Sequence, residues 1–250
     1  MSYVMIVSPA KKMNVVEGPP YVASEPRFLE RTERLMQAVQ ALSYDEAKAL
    51  WKCSDKLATL NFERFHSMDL SHNLTAACVA YEGIQYQHLA PQVMSDRELS
   101  FLDSHLRILS GFYGVLRPTN GVVPYRLEMQ AKLAVDGSRD LYAFWGTALA
   151  QALAEEADTL VNLASVEYAK AVVPHAPAFG MRVITCLFGQ MVGSRFVQRS
   201  TEAKASRGTF ARWCAEHEVS DVADFRDFSD RGYTFDENRS TADQLVFVRE

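Results

Sequence analysis

Tyr3-Val4-Met5-Ile6-Val7-Ser8-Pro9-Ala10-Lys11-Lys12 is the stretch that decides the class of this fold. Tyr3 to Val7 is a short apolar run that reads as a buried strand, and Ser8-Pro9 ends it. Strand ends that lead toward helices are where ligands gather in α/β folds, and exposed backbone N–H groups there favour anions. Lys11 and Lys12 suit that role, and a turn carrying two solvated lysines explains them equally well.

Outward from this strand, helical signals cover Arg27 to Leu42. Ser43 with Glu46 and Ser95 with Glu98 form capping-box patterns that open two further helices. Ser54 followed by Asp55 predicts another helix start, with an acid in its first turn. Ala76 to Tyr81, Thr159 to Leu163 and Arg182 to Phe188 read as strands. Leu141, Phe144, Trp145, Leu149 and Leu153 recur at helical spacing, predicting one amphipathic helix from Arg139 to Ala157. Ser165 predicts the cap of a helix through Val172, and Gly193 to about Glu218 reads as helix. Tyr233–Phe235 and Gln244–Val248 read as a hairpin with a long polar loop. Strands scattered among helices without regular alternation predict a mixed α/β, α+β-like fold. The expectation is a single domain over residues 1–250, with a mixed central sheet flanked by many helices.

The bulk numbers agree: 250 residues, 48% apolar and 23% charged, describe an ordinary globule with a sizeable core. A net charge of −5 argues against a surface coated for nucleic acid, and leaves room for a local basic cleft. Cys53, Cys78, Cys186 and Cys214 form no C-x-x-C pair, which fits reduced thiols in the cytosol. The N-terminal apolar run is too short for a signal peptide, and no stretch approaches a membrane span. A cytoplasmic protein with no membrane partner is therefore expected. The histidines show no ligand spacing, so no metal and no cofactor are expected. Phosphate-binding P-loop, dinucleotide and nucleophile-elbow motifs are absent.

Chemistry concentrates elsewhere. Leu106 to Met129 carries Arg107, Arg117 and Arg126 among apolar and aromatic residues, with Tyr125 and Glu128 alongside. Guanidinium is always charged and suits carboxylate or phosphate recognition, so such density favours an anion site over a plain core element. Ser54-Asp55-Lys56 reads more simply as a capped surface helix. Asn162 to Tyr168 is a strand end passing into a helix, with Ser165 and Glu167 near its start. A last basic stretch holds Arg195, Arg199, Lys204, Arg207 and Arg212 against Glu202, with Phe196, Phe210 and Trp213 interleaved. Cations among aromatics suit unpaired nucleic acid, and equally an amphipathic helix burying its rings.

These segments resemble the YaaA family of bacterial peroxide-stress-response proteins. The matching pieces are Ser8-Pro9-Ala10-Lys11, Ser54-Asp55-Lys56-Leu57-Ala58, Leu106 through Pro118, and Pro124 through Met129. Leu141-Tyr142, Phe144-Trp145-Gly146, Asn162 to Ser165, Glu167-Tyr168, Gly232-Tyr233 and Leu245 to Phe247 complete the order. The resemblance covers essentially the whole chain. It implies a role in limiting free iron and oxidative DNA damage under peroxide stress, and binding of duplex or distorted DNA through a basic cleft. It supplies no catalytic residues. Ala203 to Gly208 keeps Lys204 and Arg207 but lacks one cation usual to the family pattern.

Two functions are thus expected to compete. In the first, DNA lies along Lys11, Lys56, Arg107, Arg117, Arg126, Lys204 and Arg207. In the second, a nucleotide, nucleobase or other small anionic ligand enters a pocket at the strand ends. Its candidate residues are Ser8, Ser54, Asp55, Tyr113, Tyr125, Glu128, Trp145, Asn162, Ser165 and Glu167. Convergence of the polar set in one pocket favours the second reading, and spread along an open groove favours the first.

Overall fold

The computed structural model describes residues 2–18, 20 and 22–249. Its main sheet contains β1 (Tyr3–Val7), β2 (Leu106–Ser110), β3 (Gly114–Leu116) and β4 (Thr159–Asn162). It continues with β5 (Arg182–Val192), β6 (Arg195–Val197), β7 (Tyr233–Phe235) and β8 (Gln244–Arg249). The spatial order is β7-β8-β5-β4-β1-β2-β3, and β6 pairs with β5. The five inner strands β8, β5, β4, β1 and β2 run parallel, whereas β7, β3 and β6 join antiparallel. This is the mixed α/β single domain expected from the sequence.

β1, β2 and β4 are buried along their whole length, as parallel strands covered on both faces must be. Register aligns Ile6 of β1 with Arg107 on one side and Asn162 on the other. The chain leaves β1, returns as β2 on one flank, and later returns as β4 on the opposite flank. That reversal makes a topological switch point, and a crevice opens beyond the carboxyl end of β1.

Both capping boxes form, at Ser43–Glu46 and Ser95–Glu98, and start helices Tyr44–Trp51 and Asp96–His105. Other expectations need correction. Ala76 to Tyr81 is not one strand: Thr75–Ala76 pairs with Gly121–Val122, Ala77–Ala80 forms a helical turn, and Tyr81–Glu82 pairs with Lys12–Met13. All of Ala77 to Ala80 is buried, so apolarity on every side left no period to distinguish helix from strand. The helix expected over Arg139–Ala157 breaks at Gly146 (φ 51°) into Leu141–Trp145 and Ala148–Ala154. The helix expected from Gly193 starts only at Ser200 and runs to Glu216. Ahead of it, β5 extends to Val192 and turns at Gly193 (φ 60°) into β6. The helix after Ser165 is only Val166–Ala169, and neither Ser165 nor Ser54 makes a side-chain cap bond.

Candidate functional site

The crevice at the carboxyl end of β1 is a cavity of about 670 Å³. Its floor starts where β1 ends. The Ser8 carbonyl accepts hydrogen bonds from Gln85 Nε2 and the Tyr86 hydroxyl, both at 3.0 Å. Ser8 Oγ accepts from the Ser165 amide at 2.8 Å and donates to Ser165 Oγ at 3.1 Å. Two serines that sequence order sets far apart thus clasp the ends of adjacent strands β1 and β4. This explains why Ser165 does not cap its own helix.

Behind the floor a hydroxyl chain runs from Ser110 Oγ to Tyr125 (2.6 Å) and on to Tyr81 (2.8 Å). Ser110 Oγ also accepts from the amides of Phe112 and Tyr113, which fixes the turn between β2 and β3. Burial pushes the Tyr125 hydroxyl up to about 12, so it stays protonated at neutral pH.

One wall carries Glu128, whose Oε1 takes Arg126 Nη2 at 2.9 Å and Lys11 Nζ at 3.2 Å. Glu167 lies nearby and accepts from the Gln130 amide at 3.2 Å. Burial, with the charge of Glu128 adding to it, raises the Glu167 carboxyl above its ordinary range. The opposite wall is helix Ser200–Glu216, which contributes Ser200, Lys204 and Arg207. Gly208 lets this helix approach helix Ile84–Leu89, because a Cβ there would sit 2.0 Å from the Gln85 carbonyl oxygen.

The electrostatics are unbalanced. Arg207 makes no salt bridge or side-chain hydrogen bond among the described residues, and its Nε is buried without a partner. Burial lowers the Arg207 pKa, the signature of a cation short of compensating charge. Arg126 Nε is likewise buried and unpartnered. Arg195, Arg199 and Lys204 are exposed and form no salt bridge among the described residues.

The cavity therefore gathers Lys11, Arg126, Lys204, Arg207, Ser8, Tyr125, Glu128, Ser165 and Glu167. It does not gather the others. Arg107 is 2% exposed and binds Glu156 (Nε to Oε2, 2.9 Å) and the carbonyls of Asp103 and Leu106. Arg117 is half-exposed, 3.4 Å from Glu156 and 3.7 Å from Asp103. Ser54, Asp55 and Lys56 lie exposed at the start of helix Asp55–His66, where Asp55 pairs with Lys48. Tyr113 accepts from the Val123 amide inside the core, and Trp145 Nε1 donates to the Gly111 carbonyl. Asn162 turns back to accept from the Ala164 amide at 3.0 Å. Phe210 is core, and Arg212 pairs with Glu216, so the basic stretch is partly an ordinary amphipathic helix. Gln85 and Tyr86, which hold the floor, carry no sequence signal beyond being isolated polar groups on an apolar helix face. No group of three or more His, Cys, Asp or Glu side chains suited to a metal ion occurs among the described residues. No helix among them is long and apolar enough to cross a membrane.

A family model described as peroxide stress protein YaaA matches residues 3–239. A UPF0246 protein of Lachnoclostridium phytofermentans is 45% identical over 246 residues, spanning 98% of this chain and 96% of its own. One from Lactiplantibacillus plantarum is 46% identical over 245 residues, spanning 98% of each. One from Desulfitobacterium hafniense is 41% identical over 245 residues, spanning 98% of this chain and 97% of its own.

Proposed function

The chain belongs to the peroxide stress protein YaaA family, and from that membership we propose that it acts by binding a small anionic ligand in the switch-point cavity. The observation that carries this is Arg207, a half-buried guanidinium lining the cavity with no salt bridge to any carboxylate among the described residues. A phosphate or carboxylate between Arg207, Lys204 and Arg126 supplies the missing charge. The Ser8–Ser165 clasp, the Tyr125 hydroxyl and the carboxyls of Glu128 and Glu167 then surround the rest of the ligand. A nucleotide or a related phosphorylated molecule suits this mix of groups, in a cavity of about 670 Å³ that lies within the ordinary range for small-molecule sites.

A second reading has its own support. Lys204 lines the cavity, and Arg195 and Arg199 precede its helix in the chain; all three are exposed and form no salt bridge among the described residues, which suits phosphates of a DNA strand while one unpaired nucleotide enters the cavity. In either case the physiological output proposed is reduced iron-dependent oxidative damage during peroxide stress.

Thermal unfolding in increasing inorganic phosphate, adenosine monophosphate or a bubbled DNA duplex separates these outcomes. Ligand binding to the folded chain raises the midpoint with concentration. Arg207→Gln should abolish the rise for the small anions, whereas Lys56→Gln should leave it intact. DNA binding that dominates should weaken with salt at a log–log slope near −4 to −5 if about five phosphates are neutralised. No stabilisation by either small anion would remove the first reading.

A further inference from the structure

Across the Lys11–Glu128 ion pair lies a second cavity, of about 750 Å³. Helix Tyr44–Trp51 forms one side through Ala49 and Leu50, and residues 130–134 form the other. Burial alternates along this second side: Ala131, Leu133 and Val135 are buried, while Lys132 and Ala134 are exposed. Such alternation is the mark of a strand with one wet face. Yet the segment joins no sheet: Val135 bridges Ser138 across a tight turn, and residues 130–134 pair with no strand among the described residues. The backbone amides and carbonyls of Lys132, Leu133 and Ala134 make no hydrogen bond among the described residues.

An unpaired strand edge is a template for another chain, and proteins usually cover or charge it. Here the groove beside it is apolar at its base and carries unspent positive charge. Lys52 and Lys132 form no salt bridge among the described residues. Of the groove's two acids, Glu128 is neutralised by Arg126 and Lys11, and Glu46, held by its Ser43 capping box, offsets one of the two lysines. Trp51, on the base, buries an indole N–H that has no acceptor among the described residues. Backbone groups waiting for a strand, apolar space for alternate side chains and free lysines at the rim all point to one kind of occupant.

We propose that this groove receives an extended acidic peptide from a partner protein, added as a strand along residues 131–135. Main-chain hydrogen bonds to Lys132 and Ala134 hold it in register. Its apolar side chains pack between Leu50 and Leu133, and its carboxylates meet Lys52 and Lys132. Five residues of pairing span about 16 Å, and the site is independent of whichever anion fills the neighbouring cavity.

Amide hydrogen exchange on the full chain, with and without a short peptide alternating aspartate and valine, tests this. The peptide should bind saturably and slow exchange at Lys132 and Ala134, whose amides share one edge, more than at Leu133, whose amide faces the other edge. Lys132→Glu, an exposed change compatible with folding, should weaken binding about tenfold, equivalent to about 1.4 kcal/mol. A peptide with proline at alternate positions should not protect these amides. Absence of binding, or protection confined to other segments, overturns the proposal. So does the same protection from single-stranded DNA, or from self-association of the chain alone at high concentration, since each assigns the edge to another occupant.

Discussion

Replacing Gly208 by alanine opposes two effects of known size. Gly208 lies inside helix Ser200–Glu216, where alanine would ordinarily add about 1 kcal/mol of stability. The new Cβ, however, would sit 2.0 Å from the Gln85 carbonyl oxygen, 2.9 Å from its carbonyl carbon and 3.0 Å from the Leu89 amide nitrogen. These are backbone atoms of a neighbouring helix and have no rotamer to escape into. Restoring ordinary contact, from 2.0 Å to at least 3.4 Å, requires the two helices to separate. Overpacking that moves backbone costs about 1–3 kcal/mol or more, so the clash outweighs the propensity gain. We expect a net loss of about 2 kcal/mol, which in a domain of this size lowers Tm by about 4–8 °C. Because Lys204 and Arg207 ride on one helix and Gln85 and Tyr86 hold the Ser8 carbonyl from the other, phosphate binding should weaken as well. Thermal and urea unfolding, followed by phosphate titration of the folded variant, measure both. A variant as stable as the parent would refute the close crossing and the pocket geometry built on it.

Arg107→Ala should cost about 3 kcal/mol in urea unfolding, the low end for a broken buried pair, because it removes the hydrogen bonds to the Asp103 and Leu106 carbonyls and leaves the partly exposed Glu156 with Arg117 alone. At a temperature where the variant is folded, its phosphate affinity should be unchanged, since Arg107 lies outside the cavity; a selective loss of binding would place it in the site. Glu167 gives a pH signature. Its raised pKa means the native chain binds that proton more tightly than the unfolded chain does. The stability it contributes is complete below the ordinary carboxylate pKa, and is lost as pH rises through the raised value. Glu167→Gln should flatten this part of the stability–pH curve, and an unchanged slope would argue against the burial assigned to Glu167.

The sequence revealed the sheet where strands were bounded by clear punctuation. Tyr3–Val7 before Ser8-Pro9 and Thr159–Asn162 before Ser165 are both found, and they are the strands that position the cavity. Leu106–Ser110 was harder, because a strand carrying Arg107 looks like a site. Its guanidinium proves to be an internal tie between a helix end and Glu156. Charge density along the chain cannot distinguish a cation that meets a ligand from one that meets a distant carboxylate. The same limit applies to Lys56 and Arg117. Ser8 and Ser165 were legible as strand-end hydroxyls, but their mutual hydrogen bond depends on β1 and β4 being neighbours, a pairing no local pattern encodes. Gly146 marks where helical spacing continues past a real break, because a turn residue at positive φ interrupts a helix without disturbing the apolar period on either side, and Gly193 marks a strand-to-strand turn where the expected helix start conceals a hairpin.

Arg207 faces the cavity without a salt-bridge partner among the described residues, and Arg126, though paired with Glu128, keeps a buried Nε–H without an acceptor there, so these two Nε–H groups are the first to feel a bound anion. Arginine side-chain nitrogen NMR, with each resonance assigned by Arg126→Lys and Arg207→Lys, would follow both during titration with inorganic phosphate. These two resonances should shift together and saturate, while those of Arg107 and Arg117 stay fixed. Shifts spread over all surface arginines without saturation, or none at Arg207, would contradict it.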